Sequence, residues 1–111
     1  MSTPADIADA VVAFFARHGV ASMKLPSGWF GRPFDNQHQL TAAVPVGDRV
    51  SITLDETRTL HVAASAVVRE RRVLTIAIEG GEWQWTSYGG ADRHVERLPS
   101  GVVEFHAVPG R

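Results

Sequence analysis

The sequence predicts an α+β domain: one N-terminal amphipathic helix followed by an antiparallel β-meander of about six to eight strands, the sheet curved or half closed into a barrel. Three observations carry this expectation. Apolar residues recur at helical spacing between residues 4 and 18; from Val20 onward apolar and polar residues alternate in short runs; and those runs are separated by Gly, Pro, Asp and Asn with no parallel crossover unit between them. At 111 residues the chain makes a single globular domain, with the helix at about 4–18 and a β-rich remainder at about 20–108.

The helix has both ends marked. Thr3 stands at the N-cap, Pro4 at the first helical position where a missing N–H is harmless, and Asp6 at the positive end of the dipole. Ile7, Val11, Phe14 and His18 form the apolar stripe, widened by Ala10 and Phe15, and Gly19 follows as a left-handed stop.

Strand positions follow from side-chain parity. "VSITL" and "TLHVAASAVV" keep their apolar faces together across an odd loop at Asp55-Glu56-Thr57, with Val50 facing Val62 and Ile52 facing Leu60. A loop at Glu70-Arg71-Arg72 then sets Val68 opposite Leu74, Ala66 opposite Ile76 and Ala64 opposite Ile78; residues 63–72 are also rich in helix formers, so a helix there is the rival reading. Next, "VLTIAIEGGEWQWTSY" reads as a hairpin turning at Gly80-Gly81, with Ile78 opposite Trp83 and both in the core with Trp85. "KLPSGWF" and "RLPSGVVEF" share an LPSG element and read as two hairpin corners, the second letting Val95, Val103 and Phe105 share a face. "SMKL" and "LTAAV" are short additional strands.

Composition excludes more than it selects. A formal net charge of −1 disfavours a polyanionic partner such as nucleic acid, and the lack of cysteine removes disulfides, thiolate zinc sites and a cysteine nucleophile. "MSTPADIADA" has neither the basic nor the apolar region of a secretory leader, and no run approaches the roughly 18 apolar residues of a membrane span, so the cytoplasm and no membrane partner are expected. Ten Arg against the single Lys24, with abundant Ala and Val, suit a GC-rich bacterial genome. His18, His38, His61, His94 and His106 show no metal-ligand spacing, no serine lies in a Gly-x-Ser-x-Gly elbow, and no phosphate-binding glycine fingerprint occurs, so neither metal nor cofactor is expected.

Candidate functional residues concentrate in "LPSGWFGRPFDNQHQL", where Trp29, Phe30 and Phe34 stand beside Arg32, Asp35, Asn36 and His38 in a stretch with no strand or helix periodicity. Such a loop either caps the sheet with its aromatics or exposes them to a partner. The small, mildly polar face of the meander adds His61, Gln84 and Tyr88, and the "YGGADRHVE" loop adds His94. The expectation is a small binding module for a protein partner or a modest apolar ligand, using Trp29, Phe30, Arg32, Phe34, Asp35, His38, His61, Gln84, Tyr88 and His94. The alternative is a small barrel-type hydrolase or isomerase with an Asp/His acid–base pair, Asp35 with His38 or His94. A Val-rich strand edge leaves room for a homodimer.

Overall fold

The computed structural model describes residues 2–31, 35–86 and 92–109. Helix α1 spans Pro4–His18. Its start is a reciprocal capping box, the Thr3 hydroxyl accepting the Asp6 N–H at 3.1 Å and the Asp6 carboxylate accepting the Thr3 N–H at 3.1 Å. At its end the Gly19 N–H donates to the Phe15 carbonyl at 2.8 Å. Ile7, Ala8, Ala10, Val11, Phe14 and Phe15 are buried.

Eight strands follow: β1 (Ala21–Leu25), β2 (Gly28–Trp29), β3 (Leu40–Val46), β4 (Arg49–Leu54), β5 (Arg58–Arg69), β6 (Val73–Thr86), β7 (Arg93–Leu98) and β8 (Gly101–Ala107). They form one antiparallel sheet in the order β2-β1-β8-β6-β5-β4-β3, with β7 beside the second half of β6. The sheet does not close. A single bridge, in which Ala21 and His38 exchange backbone hydrogen bonds of 3.0 and 2.8 Å, ties β1 to the segment leading into β3. The helix packs on β3, β4 and β5, and Phe15 reaches Phe105 on β8 edge to face, with ring centroids 5.3 Å apart. Val50, Ile52, Leu60, Val62, Leu74, Ile76, Trp83, Val103 and Phe105 line the inward face and are fully buried. β3 is a free edge and carries Pro45, a residue without a donor N–H that blunts such edges. Among the described residues no helix is long and apolar enough to cross a membrane.

Parity reasoning succeeds at β4 and β5, where Val50 pairs with Val62 and Ile52 with Leu60 around the turn at 55–57. Residues 63–69 are strand, not helix. Beyond this point three expectations need correction. Gly80-Gly81 is not a turn: β6 runs straight through it, pairing with β5 from Arg69↔Leu74 to Thr59↔Gln84. Ile78 and Trp83 share a face because the β5–β6 register shifts near Ala63, Ala64 and Ala66, one extra residue having the same effect on parity as a two-residue turn. The same irregularity moves Val68 opposite Thr75 and leaves it 55% exposed, where the sequence put it opposite Leu74.

The third correction concerns the second LPSG. Residues 25–28 do make a hairpin, with Lys24 paired to Trp29 and Leu25 to Gly28, whose φ of 123° suits glycine. Residues 98–101 instead step from β7 to β8 in the same direction, both strands running antiparallel to β6. Val95 therefore faces outward, 55% exposed, away from Val103 and Phe105. The Ser100 hydroxyl donates to the Ile78 carbonyl across the step at 3.3 Å. The two LPSG elements touch, since a Cβ on Gly101 would stand 3.1 Å from Pro26 Cβ.

The position that admits least change is Gly81, where a Cβ would lie 2.4 Å from the His61 carbonyl oxygen and 2.7 Å from Val62 Cγ1. Gly81→Ala must therefore push β5 and β6 apart. We expect a loss of about 1–3 kcal/mol or more, read from the urea midpoint; an unchanged midpoint would contradict the close approach.

Candidate functional site

The loop between β2 and β3 divides its residues between core and surface. Phe30 points inward, its ring 5.1 Å from Trp83 and 5.2 Å from Trp85, both edge to face, with the Arg58 guanidinium 5.9 Å from its centroid. Trp29 goes the other way. Because the turn at Pro26-Ser27 pairs it with Lys24, and Met23 and Leu25 face the core, Trp29 falls on the outward face and is 53% exposed. Arg32, Phe34 and Tyr88 lie outside the described residues.

Asn36 and His38 are buried and build a polar clasp. The Asn36 side chain behaves like a short strand, its Oδ1 accepting the Met23 N–H at 2.8 Å and its Nδ2 donating to the Met23 carbonyl at 3.0 Å. His38 Nδ1 stands 2.7 Å from Asp55 Oδ2, and its Nε2 stands 3.0 Å from Asn36 Oδ1. Asp55 holds the clasp from the β4–β5 turn: its other oxygen accepts the Gln39 N–H at 2.9 Å, and Arg58 Nη1 lies 3.4 Å from Oδ2.

Two acceptors thus face one imidazole. A neutral ring donating to Asp55 leaves its Nε2 lone pair against an oxygen, and a second proton would satisfy both contacts. Burial opposes that proton and is the larger influence, holding the His38 pKa below its ordinary value while the hydrogen bond and charge of Asp55 push it back up. His38 therefore pairs with Asp55 and not with Asp35, which is exposed.

Clefts open on the outward face, and others border the helix. One outward cleft of about 570 Å³, mostly apolar in lining, is bounded by Ser22, Trp29, Gln37, His106, Val108 and Pro109. Its walls come from β1, the β2 end, Gly31, Asn36 and Gln37 between β2 and β3, β8 and the residues after β8. The Trp29 and His106 rings are 4.8 Å apart, Lys24 Nζ is 5.7 Å from the Trp29 ring, and His106 Nε2 is 2.9 Å from Glu104 Oε1. That carboxylate fixes which nitrogen of His106 carries the proton.

The remaining sequence-stated candidates are scattered. His61 lines a second outward cleft with Arg49, Glu82 and Arg97, whereas Gln84 lines a third with Thr59, Thr86 and Arg93. His94 is exposed and stacks on Trp85, with centroids 5.1 Å apart. No group of three or more His, Asp or Glu among the described residues is placed to hold a metal ion. Sequence reasoning missed Asp55, Glu104 and His106. The outward parity of Trp29 was readable from a two-residue turn at 26–27, but its partner His106 comes from a strand 77 residues away and had no local signal.

Comparison with protein-family models, with curated proteins and with solved structures finds no match.

Two outcomes follow from the clasp. The unfolded chain binds a proton at His38 with a pKa near 6.5, the folded chain only at lower pH, so the unfolded state holds more protons in that window. Stability should be greatest above about pH 7 and fall as the pH drops through 6.5 toward 5. His38→Gln should flatten this dependence in thermal melts between pH 7 and 5, and an equally steep dependence in the variant would remove His38 as its source. Asn36→Ala orphans the Met23 N–H and carbonyl and should cost roughly 2–4 kcal/mol in urea unfolding, more than an exposed Gln39→Ala.

Proposed function

We propose that this domain is a small binding module that seats an apolar or aromatic group, from a small ligand or a protein partner, in the cleft beside Trp29. The observation that carries the reading is the division among its tryptophans. Trp83 is fully buried and Trp85 half-buried against Phe30, while Trp29 stands more than half exposed at the edge of an apolar-lined opening. Burying an indole face is worth a few kcal/mol, so a chain that leaves one in water beside a cleft retains that free energy for an occupant. Val108 and Pro109 add apolar lining, and Ser22, Gln37 and His106 are polar groups able to orient what enters.

One observation favours a second reading. His106, whose Nε2 stands 2.9 Å from Glu104 Oε1, lines the same cleft as Ser22, so an acid–base enzyme would work here, with His106 as the base, and not at the buried His38.

Trp29→Ala is the discriminating variant. Trp29 is not part of the buried core, so the melting transition should stay within about 0.5 kcal/mol of wild type, while uptake of an apolar fluorescent probe such as anilinonaphthalene sulfonate should drop at least tenfold in affinity. Undiminished probe binding by a folded Trp29→Ala protein sinks the reading. If instead His106→Ala abolishes turnover of a substrate that Trp29→Ala still binds, the enzyme reading takes its place.

A further inference from the structure

The second outward cleft, about 470 Å³, lies where β6 passes Gly80-Gly81 and where β7 gives way to β8. Register brings its side chains into one row. Ser51 pairs with His61, His61 with Glu82, and Glu82 with Arg97, and Arg49 stands two residues from Ser51 on the same face of β4. Irregularities of this kind commonly re-aim side chains beside binding sites.

The bland expectation for such a row is a ladder of cross-strand ion pairs, Glu82 neutralised by His61 on one side and Arg97 on the other. That ladder is not formed. The ion pairs among the described residues are His38–Asp55, Arg58–Asp55 and His106–Glu104, and none involves Arg49, His61 or Arg97. Nor does any of these three side chains make a hydrogen bond to a described residue, although a carboxylate sits directly opposite two of them in register. Glu82 itself accepts a hydrogen bond from Gln84 Nε2, 3.2 Å to Oε2, leaving the other oxygen uncommitted. Two permanently charged guanidinium groups and an imidazole therefore bring unspent donors to one concavity of ligand size.

We propose that this cleft binds a small phosphate monoester that also carries a hydroxyl group. Each guanidinium fork, of Arg49 and of Arg97, can match two phosphate oxygens. His61 supplies a further donor from the strand between them. Glu82, which would repel the anion, accepts the neighbouring hydroxyl and so selects an ester over the bare ion. The site is separate from the Trp29 cleft, with which it shares no lining residue.

Calorimetric titration of the intact protein with glycerol 3-phosphate and with inorganic phosphate tests this, alongside backbone amide shifts. Saturable binding of glycerol 3-phosphate, tighter than phosphate, with shifts centred on His61, Gly81 and Arg97, is expected. Arg97→Gln and Arg49→Gln should each weaken it about tenfold or more, Glu82→Gln should erase the preference for the ester, and Trp29→Ala should leave it unchanged. Should Arg97→Gln fail to fold, Arg97→Lys keeps the charge and should still lose several-fold through the missing fork. No saturable shift in the cleft overturns the proposal, and so does equal weakening by Arg72→Gln at the remote β5–β6 turn, which would mark mere attraction to surface charge.

Discussion

The approach of β5 to Gly81 is the contact on which the rest of the sheet depends. With a Cβ at this position 2.4 Å from the His61 carbonyl, only glycine allows β5 and β6 to stay hydrogen-bonded along their whole shared length. That length matters because β6 is the strand against which the others are arranged. Its first half pairs with β8, its second half with β7, and its other edge with β5 throughout. Ile76 and Ile78 before Gly80-Gly81 and Trp83 after it belong to one buried core.

A second constraint secures the open side of the sheet. Between β2 and β3 the Ala21–His38 bridge is reinforced by side chains: the Asn36 amide pairs with the Met23 backbone, and His38 connects that amide to Asp55 in the β4–β5 turn. These hydrogen bonds tie Asn36, His38 and Gln39 to β1 and to the β4–β5 turn. Their consequence is positional. With Phe30 drawn inward onto Trp83 and Trp85 and Asn36 anchored to Met23, Trp29 between β1 and the loop is left outside beside His106.

Both proposed sites lie on the face turned away from the helix, and they divide the chemistry of that face. The cleft beside Trp29 is apolar with a carboxylate-oriented histidine at its wall; the cleft at Gly81 is cationic with one acceptor. The near-neutral net charge conceals this local concentration, since what acts on a small anion is the arrangement of two arginines across a few strands and not the sum over the chain.

Helix limits, the strand composition of the remainder, the β4–β5 register and the burial of Trp83 were all legible in the sequence, because each depends on neighbours a few residues apart and on a repeat of 3.6 or 2. Parity also required that Ile78 and Trp83 share a face, but a two-residue turn and a one-residue bulge satisfy parity equally, and only packing decided for the bulge. Likewise LPSG at 25–28 reverses the chain and LPSG at 98–101 does not, although the residues are identical. In the second copy β6 offers a continuous edge on both sides of the step, and β7 and β8 pair with it in turn. The clefts follow the same rule: His106 beside Trp29 and Asp55 beside His38 are contacts between segments distant in sequence, Arg97 and His61 share a row only through the registers of three strands, and no local pattern encodes an arrangement that exists only after the sheet has assembled.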